Sequence, residues 1–390
     1  MSQAADEAAL REAVLKDPLN DLPRLIFADW LDERGSPRGE FIRVQCALAE
    51  GTAPTAELKR LRRRERELLY TNWAWDAEAP LKLRKPRFVR GFVGSGILSV
   101  QHFHTLGEQL VAEAPLESLT LTAGANRMAK LAQCSWLAQL RELSLDKNDF
   151  EPGSFPVFAQ SPYLGTLESL TVRRSRLQMI DAEALAQAST LKQLKRLKLD
   201  RTRTELADLA VLAASPNFKQ LQSLSFHPPR SDGEFLRGAA FNNTLRELEV
   251  FAEFPFGHSL GNSIMRTLAD APSLLPSLER LMLNYGGVEN HVFVEFVLSN
   301  SRPGLHTLGL NGSLIDDEAA YVLASSELMS QLRLLRLHDS AMTIEGIRAL
   351  ARSPRRRKGA RFELHSRRFS NRQLEAMRQE FGTFGCFAVQ

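Results

Sequence analysis

Leu140-Arg141-Glu142-Leu143-Ser144-Leu145-Asp146-Lys147-Asn148 spells LxxLxL followed by a polar tail, and the same spelling returns along most of the chain. Copies begin at Leu116, Leu140, Leu167, Leu194, Leu221, Leu245, Leu278, Leu305 and Leu332, with Val172, Phe226 and Val250 standing in for the last leucine. Successive starts lie 24, 27, 27, 27, 24, 33, 27 and 27 residues apart. One more step of 27 reaches Gly359, after which Phe362 and Leu364 keep the apolar places. A period this constant marks one supersecondary unit stacked on itself, because a single unit cannot cover its own apolar side.

Within each copy the fourth and sixth residues point to one side of a short strand, while the third, fifth and seventh point to the other. Between copies the spacing turns helical, as in Ala182-Leu185-Ala186, Leu206-Leu209-Ala210-Ala213, Val292-Phe296-Val297, Ala319-Val322-Leu323 and Ile344-Ile347-Leu350-Ala351. Asp181, Asp316 and Thr343 are good N-cap types for these helices, which end near Ser215-Pro216 and Ser353-Pro354. A strand and a returning helix in each repeat place parallel strands on one side and helices on the other. Strands sit about 4.8 Å apart and helices about 10 Å, so the stack is expected to curve toward its strands. The expectation is an α/β curved solenoid over residues 116–365, with parallel strands on the concave face and helices on the convex face.

These copies resemble the leucine-rich repeats of the ribonuclease-inhibitor-like class. Leu140 to Asn148 matches best, including the asparagine that in this family turns into the backbone after the strand. The other copies carry Gly124, Ser175, Thr202, Pro229, Glu253, Gly286, Ser313 and Ser340 there. The 33-residue step from Leu245 to Leu278, holding Phe251, Phe254, Pro255, Phe256 and Gly257, reads as an irregular repeat or an insertion.

The texture before the repeats differs. Residues 4–16, 22–34, 37–50 and 55–78 each show helical periodicity, with Gly35 placed to end the second helix and Ser36-Pro37 to open the third. Residues 1–80 are therefore expected to form a small all-helical domain. Asp17-Pro18, Asp21, the run Pro23 to Gly35 (PRLIFADWLDERG) and Pro37 to Gln45 (PRGEFIRVQ) resemble the repeat-companion domain found at the N-terminus of many bacterial repeat proteins. Arg90-Gly91-Phe92-Val93 is similar to the strand that joins this module to the first repeat. The resemblance implies an architecture and no established biochemical activity. Residues 81–115 are then the strand leading in and the first helix, and 366–390 a C-terminal cap.

Hydrophobic residues make up 44% and charged residues 25%, which excludes a disordered chain. The net charge of +4 is unevenly placed. Residues 116–352 hold 24 basic and 26 acidic groups, whereas 353–390 hold 9 and 3. No basic stripe follows the repeats, which weighs against a nucleic-acid track. An acidic start without an apolar core, and no long apolar run, point to the cytoplasm and away from a membrane. Cys46, Cys134 and Cys386 offer neither a disulfide framework nor metal spacing.

No catalytic motif, metal site or cofactor cradle emerges. Asp29, Asp32, Glu33 and Glu40 read as salt-bridge partners of Arg34 and Arg38 around Trp30, and Lys59 to Arg66 as a solvated helix face. Arg355, Arg356, Arg357, Lys358, Arg361, Arg367 and Arg368 form a basic end that supplies the alternative reading, a nucleic-acid-associated protein. The preferred reading is a non-catalytic module that binds a protein or peptide on the concave face. Bulky apolar and cationic side chains on an otherwise polar strand face suit an interface hot spot. The candidate residues are Arg173, Arg196, Lys198, His227, Phe251, Met282, Tyr285, Leu334, Arg336 and His338.

Overall fold

In the computed structural model, residues 3–18, 20–72, 75, 82–124, 127–147, 153–202, 206–227, 232–251, 260–338, 340–365 and 385–387 are described. They fall into two units, Met1–Asn148 with Ser161–Leu167, and Asp149–Gln160 with Glu168–Gln390.

In the first unit four helices come first: α1 (Gln3–Lys16), α2 (Asp21–Asp32), α3 (Pro37–Glu50) and α4 (Thr55–Thr71). Gly35 takes the left-handed conformation at φ 67° just past α2, a backbone angle at which any side chain is strained. Ser36 then caps α3 by accepting from Arg38 N at 3.4 Å, with Pro37 at the first helical position. The apolar faces meet around Val14, Phe27, Ala28, Leu31, Ile42, Cys46 and Phe92. The acidic cluster on α2 pairs differently from expectation: Asp29 and Asp32 both hold Arg43 on α3. Arg34 instead lies over the Trp30 ring, 3.9 Å from its centroid, and Arg38 over Phe41, Trp75 and Phe88.

The expected single leading strand is a hairpin. Strands β1 (Arg84–Val89) and β2 (Phe92–Ser99) pair antiparallel, and Arg90 and Gly91 turn between them with φ of 50° and 84°. Two consecutive left-handed residues match the strand twist of a two-residue hairpin. Arg24 fixes this turn. Fully buried, its guanidinium donates to Arg90 O at 3.1 Å and Pro18 O at 2.8 Å, and lies 3.6 Å from Glu117. Gln45 accepts from Gly91 N at 2.6 Å. Helix α5 (Val100–Glu113), β3 (Ser118–Thr122), a short α6 (Met128–Ala132) and β4 (Glu142–Asp146) follow, with β2, β3 and β4 parallel.

The second unit repeats the motif at its fuller length. Its strands are β5 (Ser169–Arg173), β6 (Arg196–Asp200), β7 (Ser223–Phe226), β8 (Glu247–Phe251), β9 (Arg280–Asn284), β10 (Thr307–Asn311), β11 (Leu334–His338), β12 (Arg361–His365) and β13 (Gly385–Phe387). All are parallel to their neighbours, and each pair is in register at the same place in the repeat. Helices α7 (Ser154–Ala159), α8 (Met179–Gln187), α9 (Leu206–Ala214), α10 (Leu260–Asp270), α11 (Asn290–Ser299), α12 (Asp317–Ser325), α13 (Glu327–Gln331) and α14 (Ile344–Arg352) alternate with them. Where the step shortens to 24 residues between Leu221 and Leu245, only a 3-10 turn at Glu234–Leu236 is formed. Residues 252–259 of the long step lie outside the described residues, as does the expected cap apart from β13.

The three apolar residues of every LxxLxL copy are at most 4% exposed. Each leucine so withdrawn contributes about 1.5–3 kcal/mol. Backbone and hydroxyl groups tie neighbouring repeats together. The residue after a strand turns left-handed, as Arg174, Arg201, Tyr285 and Gly312 do, and sends its N–H to the next strand: Arg174 N to Asp200 O at 2.8 Å, Tyr285 N to Asn311 O at 2.7 Å, and Gly312 N to His338 O at 2.7 Å. The place of the family asparagine is held by buried Ser175, Thr202, Ser313 and Ser340. The Ser-Pro serines do more than stop helices. Ser215 and Ser353 donate to Ala186 O and Ala324 O of the preceding repeat, both at 2.5 Å, while accepting from Asn217 N and Arg355 N.

Asp316 and Thr343 cap α12 and α14 as expected, accepting from Ala319 N and Glu345 N at 3.2 Å each. Asp181 does not sit at the N-cap. It lies one turn inside α8 and accepts from Gln178 N at 2.8 Å, the return half of a capping box. Arg302, 1% exposed, plugs the end of α10 by donating to Leu268 O at 3.0 Å, Ala271 O at 3.2 Å and Leu274 O at 2.9 Å. Burial pushes it down to about 10, which leaves it charged at neutral pH.

Candidate binding face

Because the fourth and sixth residues of each copy lie in the core, the third, fifth and seventh form three rows across β5 to β12. Register fixes who stands beside whom. The middle row runs Thr171, Lys198, Ser225, Glu249, Met282, Gly309, Arg336, Glu363.

At the β5 to β8 end, five side chains form one continuous cluster. Arg173 Nε donates to Asp200 Oδ2 at 2.8 Å, and the other Asp200 oxygen lies 3.4 Å from His227 Nδ1. The His227 ring stacks on Phe251 with centroids 4.4 Å apart and planes within 3°, and Lys198 Nζ lies 5.9 Å from the Phe251 centroid. Half-burial holds the imidazole below its ordinary pKa against the pull of Asp200, and Lys198 and Arg201 push the same way as burial. His227 is therefore neutral at pH 7 and presents an aromatic face. Arg196 stands exposed in the first row.

The β9 to β12 end is built differently. Met282 has no exposed surface. Gly309 is its neighbour on β10, and a Cβ there would overlap Met282 Sδ and Cε, so the thioether fills the place where a side chain is missing. Arg336 Nε donates to Glu363 Oε2 at 2.6 Å, and Arg361 lies 2.9 Å from the other oxygen. Burial raises Glu363, but the hydrogen bond from Arg336 and the charges of Arg336, Arg361 and His338 outweigh it and hold the carboxyl below the usual range. Asn311 Nδ2 donates to Asn284 Oδ1. Leu334 and His338 are half-buried. Tyr285 is not on a strand; it occupies the left-handed turn after β9 and is 55% exposed.

The structure thus brings Arg173, Lys198, His227 and Phe251 together, leaves Arg196 and Tyr285 apart from them, and buries Met282. The organising carboxylates, Asp200 and Glu363, were not among the expected site residues. Their signal is periodic: each lies 27 residues after the arginine it holds, Arg173 and Arg336, and so at the same rung of the next repeat. Among the described residues, no three His, Cys, Asp or Glu side chains gather in a way that could hold a metal ion. None of the described helices is long and apolar enough to cross a membrane.

In-register parallel strands, buried leucines at fixed places and helices between strands define an α/β leucine-rich-repeat solenoid. Comparison with solved structures agrees on the fold. The chain is similar to one in the crystal structure of the Rad7 and Elc1 complex in yeast, with 20% identity, a TM-score of 0.57, and 92% of this chain and 87% of that one covered. It also matches an internalin (InlF) from Listeria monocytogenes at 16% identity and a TM-score of 0.36, over 66% of this chain and 73% of that one. Neither a protein-family profile nor a curated protein sequence matches the chain.

Proposed function

We propose that the chain is a non-catalytic binding module whose open strand face, at the β5 to β8 end, holds a protein or peptide partner. The observation that carries this reading is the His227–Phe251 stack with Lys198 and Arg173 at its rim, a flat apolar platform edged by charge. An aromatic pair held rigid before binding loses little freedom on contact, and desolvating it returns energy that the serines and threonines around it cannot. The yeast structure that shares the fold is of a complex of two proteins, which supports reading the repeats as a frame for binding. With this goes the reading of residues 1–80 as a repeat-companion module and of the cytoplasm as the place of action. Cys46 and Cys134, both unbridged and pushed up by burial to about 12 and about 11, suit a reducing compartment.

Affinity capture with the full chain, followed by calorimetry on any captured protein, tests the proposal. Phe251→Ala is expected to weaken that protein's binding by about 30-fold, the loss of about 2 kcal/mol typical of a central aromatic anchor. Thermal melts should be nearly unchanged, since Phe251 is only partly buried. A partner list and affinity identical to those of the unaltered chain would remove the open face from the proposal.

A further inference from the structure

The second residue of LxxLxL stands just before each strand, so these residues form a column along the strands' leading edge, off the open face. In this column Lys195 pairs with Glu168 at 3.1 Å, and Glu279 sits between Arg246 at 2.5 Å and His306 at 3.6 Å. The next member is Arg333, and the place after it is Ala360. The alternation of charge runs out there, leaving Arg333 without an acidic partner among the described residues.

Beside it lies a recess of about 420 Å³ walled in part by Glu279, His306, Gln331, Arg333 and Arg357. Arg357 comes from the basic run Arg355 to Lys358. Arg355 is held by Glu327, whereas Arg357 makes no ion pair with a described residue. Gln331 adds a buried amide oxygen without a hydrogen-bond partner among the described residues. Two exposed guanidiniums from adjacent repeats thus face one polar cavity, and its single carboxylate is already matched by Arg246.

We propose that this recess binds a phosphomonoester group. A guanidinium presents N–H donors in a fork and no acceptor, and two of them carry the charge that a phosphate dianion neutralises. A carboxylate would neutralise only one, and Lys or Arg alternating with acid, as elsewhere in the column, would need no ligand. The phosphate can come from a phosphorylated side chain of a docked protein or from a free phosphate ester. The site lies outside the open face, so this inference goes beyond the docking role proposed above, and either can fail alone.

The test is calorimetry on the full chain with inorganic phosphate, phenyl phosphate, a phosphoserine heptapeptide and the same peptide unphosphorylated. Binding of the phosphorylated probes but not of the bare peptide is expected. Arg333→Gln with Arg357→Gln should weaken it at least about tenfold, with melting unchanged because both side chains are exposed. Arg173→Gln, on the open face, should leave it intact. A phosphopeptide bound more tightly than phenyl phosphate assigns the group to a protein; equal affinities assign it to a free ester. The proposal is overturned by absence of binding at about 10 mM probe, well beyond useful affinity, or by equal affinity in the double variant. A single-stranded oligonucleotide bound more tightly than any phosphomonoester would also overturn it.

Discussion

The two ends of the open face are made from the same three rows of the same repeat, yet they dispose of their side chains in opposite ways. From β9 to β12 the groups satisfy one another: Met282 lies in the gap left by Gly309, Arg336 and Arg361 share Glu363, and Asn311 bonds Asn284. From β5 to β8, Asp200 holds Arg173 and faces His227, but the imidazole and the Phe251 ring present their stack with Lys198 beside it. Large side chains alone therefore do not make an interface. What matters is whether the neighbouring repeat already uses them, and this divides a face that looks uniform in the sequence.

The sharpest way to break the contrast is to evict Met282. Gly309→Ala puts a methyl group where the thioether lies, so Met282 must swing toward solvent or its strand must shift. A loss of about 1–3 kcal/mol in unfolding free energy is expected, as for overpacking of a filled site. In a Met282→Ala background the same change should cost almost nothing, because nothing remains to displace. Denaturant titration of the four chains checks this. An equal cost in both backgrounds would show that Gly309 is required for its backbone and not for the space it leaves.

That Met282 would be buried was out of reach of a reading along one strand, because the cause lies 27 residues away in Gly309. The repeat itself was legible, since leucines at constant period have one way to be covered. The left-handed turns were not. Ala123, Lys147, Arg174, Arg201 and Tyr285 take positive φ without a glycine to announce it. They are held there by the stack, as where Arg174 N and Tyr285 N reach a carbonyl of the next strand. Asp181 was one turn out of place because an aspartate serves an N-cap and a capping box equally well. The hairpin of β1 and β2 was missed although Arg90-Gly91 stood at its turn, because attention to the joining strand left Arg84 to Val89 unread. The charge pairs were readable in principle, by looking one period ahead for the opposite sign.

A smaller effect separates the ends through charge. Glu363→Gln removes the shared acceptor of Arg336 and Arg361, and a loss of about 1 kcal/mol is expected for this partly exposed pairing. The dependence on pH has a fixed sign. The folded pKa of Glu363 is depressed, so its contribution is complete above the ordinary carboxyl range and is lost as pH falls through the lower folded value. Stability curves of the two chains should therefore converge in acid; a constant gap down to low pH would mean that the ion pair is not what Glu363 supplies.

The smallest expected effect sits at the other end and has the opposite consequence for a partner. His227 has its folded pKa lowered, first by burial and then by Lys198 and Arg201, against the attraction of Asp200. Its contribution to stability is thus present above the unfolded value of about 6.5 and is lost as pH falls through the folded one. Nuclear magnetic resonance titration of the imidazole should give a midpoint below 6.5, and Asp200→Asn should move it lower still by removing the charge that favours protonation. His227→Gln should remove the acid-dependent part of the stability loss. A midpoint above the free-histidine value would mean that Asp200 outweighs burial. The ring over Phe251 would then be a cation near neutral pH, and the platform would select anionic partners instead of apolar ones.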